Sequence, residues 1–351
     1  MPTLGAMRDF FAAQTGGRPL GVARVGVGMS ALLLALVTRR DMLLLFAPDA
    51  VRGRWIPWVP DISPDWLDVY IGLWIVAVVL FTAGMFARWA GMAVVACIVY
   101  RFMVDQSMYW APIYLCGLLT LLLTIGNSGT GFSVDAWRRG GEQPVPRWPL
   151  TLYKIQISLV YLFAALEKMH SNFLLSDFIV QSVPLIGMLD WPPLIRLAAF
   201  GTVGFEVWLS FALWSRRFQR WAFLLGFLFH TAILFCIGFY AALLAYAAMF
   251  VSSYAAFIEA VPESRRVVWQ RDDLFARRWI PLLRRLDWLK IHRWEEETGE
   301  LRVETDTGAL TGWRAFTEIL AVLPATFFWS AALELPLIRH AGERFYRGYR
   351  G

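Results

Sequence analysis

The chain has 351 residues, 58% of them hydrophobic and only 17% charged, and its mean hydropathy is +0.51. A soluble domain would carry about 25% charged and roughly 45–50% apolar residues, so the composition excludes an ordinary water-soluble fold. The formal charge of +6 does not point to nucleic acid, because the basic residues sit beside apolar runs and read as topology signals.

A spanning helix needs about 20 mainly apolar residues. Read in chain order, eight runs meet that description: 19–38, 66–87, 89–106, 109–126, 149–168, 193–214, 221–239 and 240–260. The 18 tryptophans suit a protein that lines two membrane–water interfaces. The first run ends in Arg39-Arg40 rather than a small-residue cleavage site, so no cleavable signal peptide is expected. Cys97, Cys116 and Cys236 fall inside apolar runs without CxxC spacing, which supports neither a disulfide framework nor a zinc site.

Loop charge sets the expected orientation. With a cytoplasmic N-terminus, the inner loops hold Arg88, then Arg138, Arg139 and Arg147, then Arg216, Arg217 and Arg220. The outer connection from His170 to Trp191 has no Lys or Arg. This asymmetry predicts a cell-membrane protein with both termini cytoplasmic. One loop runs against the pattern: 39–65 carries Arg39, Arg40, Arg52 and Arg54, and it is expected to fold back onto the outer surface.

From about residue 262 the texture changes. Arginine pairs alternate with acidic groups, and turn pairs such as Thr298-Gly299 appear. Val267–Trp269 reads as a strand, 276–290 as an amphipathic helix and 301–305 as a second strand. The expected fold is therefore an all-α polytopic membrane bundle of about eight transmembrane helices over 1–260. A small α/β unit over 261–351 follows it on the cytoplasmic side. Pro324, Glu334 and Pro336 make the apolar stretch 319–338 a packed or surface-lying helix rather than a ninth span.

Ionisable groups inside spans are costly and mark candidate functional sites. In the fifth run Lys154, Ser158, Tyr161, Ala165 and Lys168 recur at steps of three and four, which places them on one helix face. Such a stripe turns toward protein or a water-filled cavity. Lys168, at the outer end, either snorkels to the interface or is a desolvated amine that can act as a general base. Glu206 in the sixth run has Thr202 and Ser210 four residues to either side; it is either a site carboxylate or a structural partner of another helix, with Arg24 as one candidate. Arg101 and Asp105 are spaced i, i+4 and are expected to pair. His230 has no second histidine nearby, so a metal centre is not expected.

The stretch Val160-Tyr161-Leu162-Phe163-Ala164-Ala165-Leu166-Glu167-Lys168-Met169, with Phe173 after it, resembles the signature helix of the vitamin K-dependent γ-carboxylases. Their wider bacterial group carries the horizontally transferred transmembrane (HTTM) domain. Gly131-Phe132-Ser133-Val134-Asp135 is similar to the family's Ser-x-Asp element, and Phe229-His230 followed by Cys236-Ile237-Gly238-Phe239 is similar to its later His…Ile-Gly-x-Phe element. The resemblance covers about residues 18–260. It implies that Lys168 is a base coupled to oxidation of a hydroquinone, a quinone-type cofactor, near the extracytoplasmic side. Tyr161, Glu206 and His230 are the companions expected around it. The family's Asn-His pair before the Tyr-Leu-x-Gly-Leu-Leu run is missing here, where Trp110, Ala111, Pro112 and Ile113 precede Tyr114-Leu115-Cys116-Gly117-Leu118-Leu119, which argues against glutamate carboxylation. The competing expectation is a non-enzymatic membrane maturation, immunity or scaffold protein serving an exported peptide or membrane partner, with membrane lipid around it in either case.

The tail has its own likeness. Val267 to Arg278 resembles the opening of the DCC family, thioredoxin-like proteins that begin with an apolar strand and a Cys-x-x-Cys turn, and Gly308 to Arg350 resembles that family's C-terminal half. Asp273 and Ala276 stand where the cysteines would be, so the resemblance implies a thioredoxin-like domain without thiol chemistry.

Overall fold

The computed structural model describes residues 4–46, 53–175, 191–238, 240–258, 263–305 and 308–350. All eight apolar runs form helices: α1 (Arg18–Val37), α2 (Pro64–Ala83), α3 (Ala87–Val104), α4 (Ala111–Ile125), α5 (Arg147–Glu167), α6 (Pro192–Ala212), α7 (Gln219–Ile237) and α8 (Ala241–Ser253). Six of them, all but α4 and α8, are long and apolar enough to cross a bilayer. The 15 residues of α4 and 13 of α8 fall short of the roughly 20 that a span requires.

The chain divides into two compact units. The first comprises Met1–Ile157, Ser176–Ile195 and Thr231–Ala256; the second comprises Ser158–Leu175, Arg196–His230 and Phe257–Gly351. In the first, α1 is the central helix and packs against α2, α4 and α8. Small residues permit this. A Cβ on Gly26 would collide with Ser252 of α8, and one on Gly28 with Thr82 of α2. Close backbone approach at glycine is a standard way for helices to associate in lipid, where the hydrophobic effect gives no drive. A short antiparallel pairing of Gln14–Gly16 with Pro144–Pro146 closes one end.

Buried Arg24 of α1 donates from Nη1 to the Ser128 carbonyl (2.5 Å) and from Nη2 to the Phe132 carbonyl (2.7 Å). It therefore fixes a turn rather than pairing with Glu206. The expected Arg101–Asp105 pair is also absent. Asp105 has left the helix (φ −151°) and caps the following turn through Ser107 N–H (2.7 Å), while Arg101 Nε lies 3.2 Å from Met108 Sδ. The described part of the arginine-rich 39–65 loop does fold back, as Tyr100 donates to the Pro60 carbonyl and Gln106 N–H to the Gly53 carbonyl. Two of its arginines are neutralised locally, Arg39 by Asp68 and Arg54 by Asp61.

In the second unit the tail forms a four-stranded sheet from β1 (Arg265–Trp269), β2 (His292–Glu296), β3 (Arg302–Thr305) and β4 (Gly308–Thr311), in the order β2-β1-β3-β4. β1 and β2 are parallel and are joined through helix α9 (Leu274–Leu286); the other pairings are antiparallel. Helices α10 (Gly312–Leu320) and α11 (Pro336–Arg350) follow, and Val267, Phe275, Ile280, Val303, Phe316 and Tyr346 fill the core. Strands β2 and β4 are additional to the two expected. Instead of the single packed helix expected over 319–338, the chain leaves α10 at Leu320, passes through turns and a four-residue helix, Ser330–Leu333, and enters α11 at Pro336. Two of its phenylalanines pack on α7, where Phe223 meets Phe327 edge-on and Phe227 stacks on Phe328, each at 4.6 Å.

Candidate functional site

The polar stripe on α5 faces protein. Within the second unit Ser158, Tyr161 and Lys168 each meet a partner from α6, its C-terminal extension or α7. Trp214 Nε1 donates to Ser158 Oγ (2.7 Å). Tyr161 Oη and His230 Nε2 share a hydrogen bond of 2.7 Å, and both side chains are buried. Lys168 Nζ donates to both carboxylate oxygens of Glu206 at 3.0 Å and to the Ala164 carbonyl at 3.1 Å. The opposite face of α5 shows Phe163 and Leu166 to the outside, as a lipid-facing surface would. Glu167 is exposed on another face of the helix.

Depth gives these contacts their weight. Glu206 lies about 21 Å along the axis from Pro192 and about 9 Å from Ala212, at 1.5 Å per residue. It is thus well inside an apolar span, and its side chain is 6% exposed against 28% for Lys168. The amine is held on a carboxylate. A bidentate contact to a buried acid satisfies both charges far better than either alone in a low dielectric. The Tyr161–His230 pair sits two helical turns from Lys168 on the same face, so two hydrogen-bonded pairs share one wall.

All four sequence-predicted site residues, Lys168, Glu206, Tyr161 and His230, therefore meet in this unit, as two separate pairs. Trp214 was not foreseen, and its signal was only an indole near the end of an apolar run. The family elements Ser133 and Asp135 carry structural tasks. Ser133 Oγ accepts from Ala136 N–H (2.9 Å), and Asp135 accepts from the Phe86 and Ala87 amides (2.9 Å each), capping α3. Phe239 of the later element and 176–190 of the outer connection lie outside the described residues.

Apolar helices of spanning length with buried ionisable pairs on their facing sides define an integral membrane protein with a polar centre inside its spans. Residues 14–254 match the HTTM domain, and the chain belongs to that family. No curated protein and no solved structure gives a significant match.

Proposed function

We propose that this chain is a membrane-embedded enzyme of the carboxylase-like kind. Its Lys168–Glu206 pair takes a proton from a lipid-soluble substrate, with a hydroquinone as the substrate class. The observation that supports this is the two-oxygen contact between Lys168 and Glu206 inside an apolar span. Moving one proton from the amine to the carboxylate turns the ion pair into a neutral amine–acid pair without changing net charge. The amine lone pair is then available as a base. Tyr161 and His230 supply a second hydrogen-bonded pair along which a proton can move.

The remaining features of this reading are an eight-span topology, cytoplasmic termini in the cell membrane and a redox-inactive, thioredoxin-like domain over 261–351. Crossing by α4 and α8 would need help from the flanking turns Gln106–Met108 and Tyr254–Phe257. The β2-β1-β3-β4 order, with a parallel first pair joined by a helix and an antiparallel hairpin after it, favours the thioredoxin-like assignment. Asp273 caps α9 through Ala276 N–H (3.1 Å), at the helix start where a reactive thiol would stand.

The same contact also favours a second reading, in which Lys168–Glu206 is a structural clasp in a non-enzymatic partner of an exported peptide. Oxygen uptake by the purified protein in vesicles supplied with a naphthohydroquinone separates the two. Activity in the wild type that is lost in Lys168→Ala and Glu206→Gln supports the enzyme. No hydroquinone-dependent uptake in the wild type, or uptake that survives Lys168→Ala, rejects it.

A further inference from the structure

A second polar site lies within the first unit, where α2 ends, α3 begins and α4 ends. It is a cavity of about 260 Å³ whose wall includes Arg88, Trp89, Asn127, Asp135 and Arg139. Pockets that hold a whole small molecule begin at roughly 300 Å³, so this one suits a headgroup-sized ligand. Both oxygens of Asp135 are engaged by the Phe86 and Ala87 amides, so the acid is spent on the helix cap. Arg139 commits Nη2 to the Gly129 carbonyl (2.7 Å). Arg88, by contrast, is exposed and makes no hydrogen bond or ion pair among the described residues. Arg138 adds a further positive charge beside the rim, its guanidinium 5.3 Å above the Phe86 ring.

The surroundings identify the source of the ligand. Trp89 is 71% exposed and Trp137 is 80% exposed, with half-exposed Phe86 between the arginines. Large aromatic rings exposed at the end of spanning helices belong to the headgroup level of a bilayer. Arginines gathered there attract anionic lipid, at a level where a phosphate loses less hydration than in the core. A soluble anion would use the arginines but gain nothing from the tryptophans.

We propose that this cavity binds the phosphate headgroup of an anionic phospholipid. Arg88 and Arg139 hold the phosphate, and Trp89 and Trp137 lie along the glycerol and upper acyl region. The test uses the full chain, stripped of lipid in neutral detergent, with thermal unfolding followed as phosphatidylglycerol, phosphatidylcholine or inorganic phosphate is added. Phosphatidylglycerol should raise the unfolding temperature saturably, while the other two should not. Arg88→Gln should weaken the apparent affinity about fivefold, as expected for one interfacial arginine. Arg88→Lys should weaken it less, and Arg339→Gln on α11 should leave it unchanged. Because Arg88 makes no hydrogen bond or ion pair among the described residues, its variant should unfold like the wild type without lipid. Saturation by inorganic phosphate, an equal response to phosphatidylcholine, or unchanged affinity in Arg88→Gln would each overturn the proposal.

Discussion

Lys168 and Glu206 are 38 positions apart, and nothing local in the sequence couples them. Stripe spacing on α5 gave the face, and a lone acid in the sixth run gave a candidate, but the pairing depends on how two helices stagger. The structure also separates Lys168 from a snorkelling lysine, because its ammonium binds a buried carboxylate. Lys168→Ala should therefore destabilise the protein by about 3 kcal/mol, the lower end for a broken buried pair because the amine is partly exposed. Adding Glu206→Gln should recover part of that loss, since a neutral amide needs no countercharge. Denaturation of the two single variants and the double variant, analysed as a double-mutant cycle, measures the coupling. Additive losses would mean that the contact contributes nothing. Tyr161→Phe removes a hydroxyl facing buried His230 and should cost about 1–3 kcal/mol in the same assay.

At the scale of elements, helix existence was legible and helix length was not. Apolar runs located all eight helices, yet α4 starts late because Tyr109 and Trp110 are extended, and α8 closes early because Tyr254–Phe257 forms a tighter turn. Strand β2 escaped notice because its sequence, His292-Arg293-Trp294-Glu295-Glu296, has no clean apolar alternation; only His292 is fully buried. The Arg101–Asp105 expectation failed because α3 stops at Val104, so i, i+4 geometry does not reach residue 105. The single packed or surface-lying helix expected over 319–338 did not form, because the chain turns after Leu320 and resumes a long helix only at Pro336. Capping offers a clean test here. Asp135→Ala exposes the first amides of α3 and should lower stability by about 1–2 kcal/mol in thermal unfolding. Asp135→Asn, which keeps an acceptor, should lose less.

For the whole molecule, orientation is the central expectation. Single cysteines at positions 181 and 299 should be labelled from opposite sides of sealed vesicles; labelling of both from one side would reject the N-in, C-in arrangement. Stability should also depend on acid. Burial pushes the Glu318 carboxyl up, but the charges and hydrogen bonds of Arg220 and Arg265 outweigh it and hold it below the usual range. Burial of Asp287 is likewise outweighed by the His292 ring, its charge and the His292 and Ile291 amides. Depressed carboxyl values add stability that is complete above the ordinary carboxylate range of about pH 4. It is lost as pH falls through the lowered values. Acid unfolding should therefore steepen below about pH 4, and Glu318→Gln should flatten it.

The same carboxylate has a mechanical consequence. Glu318 holds Arg220 in the first turn of α7 and Arg265 at the start of the sheet, while Glu334 takes Arg220's other arm. His230 stands about 15 Å further along that helix at 1.5 Å per residue. A helix is stiff over such a distance, so a tilt imposed on the tail sheet should be carried along α7 to the imidazole that meets Tyr161.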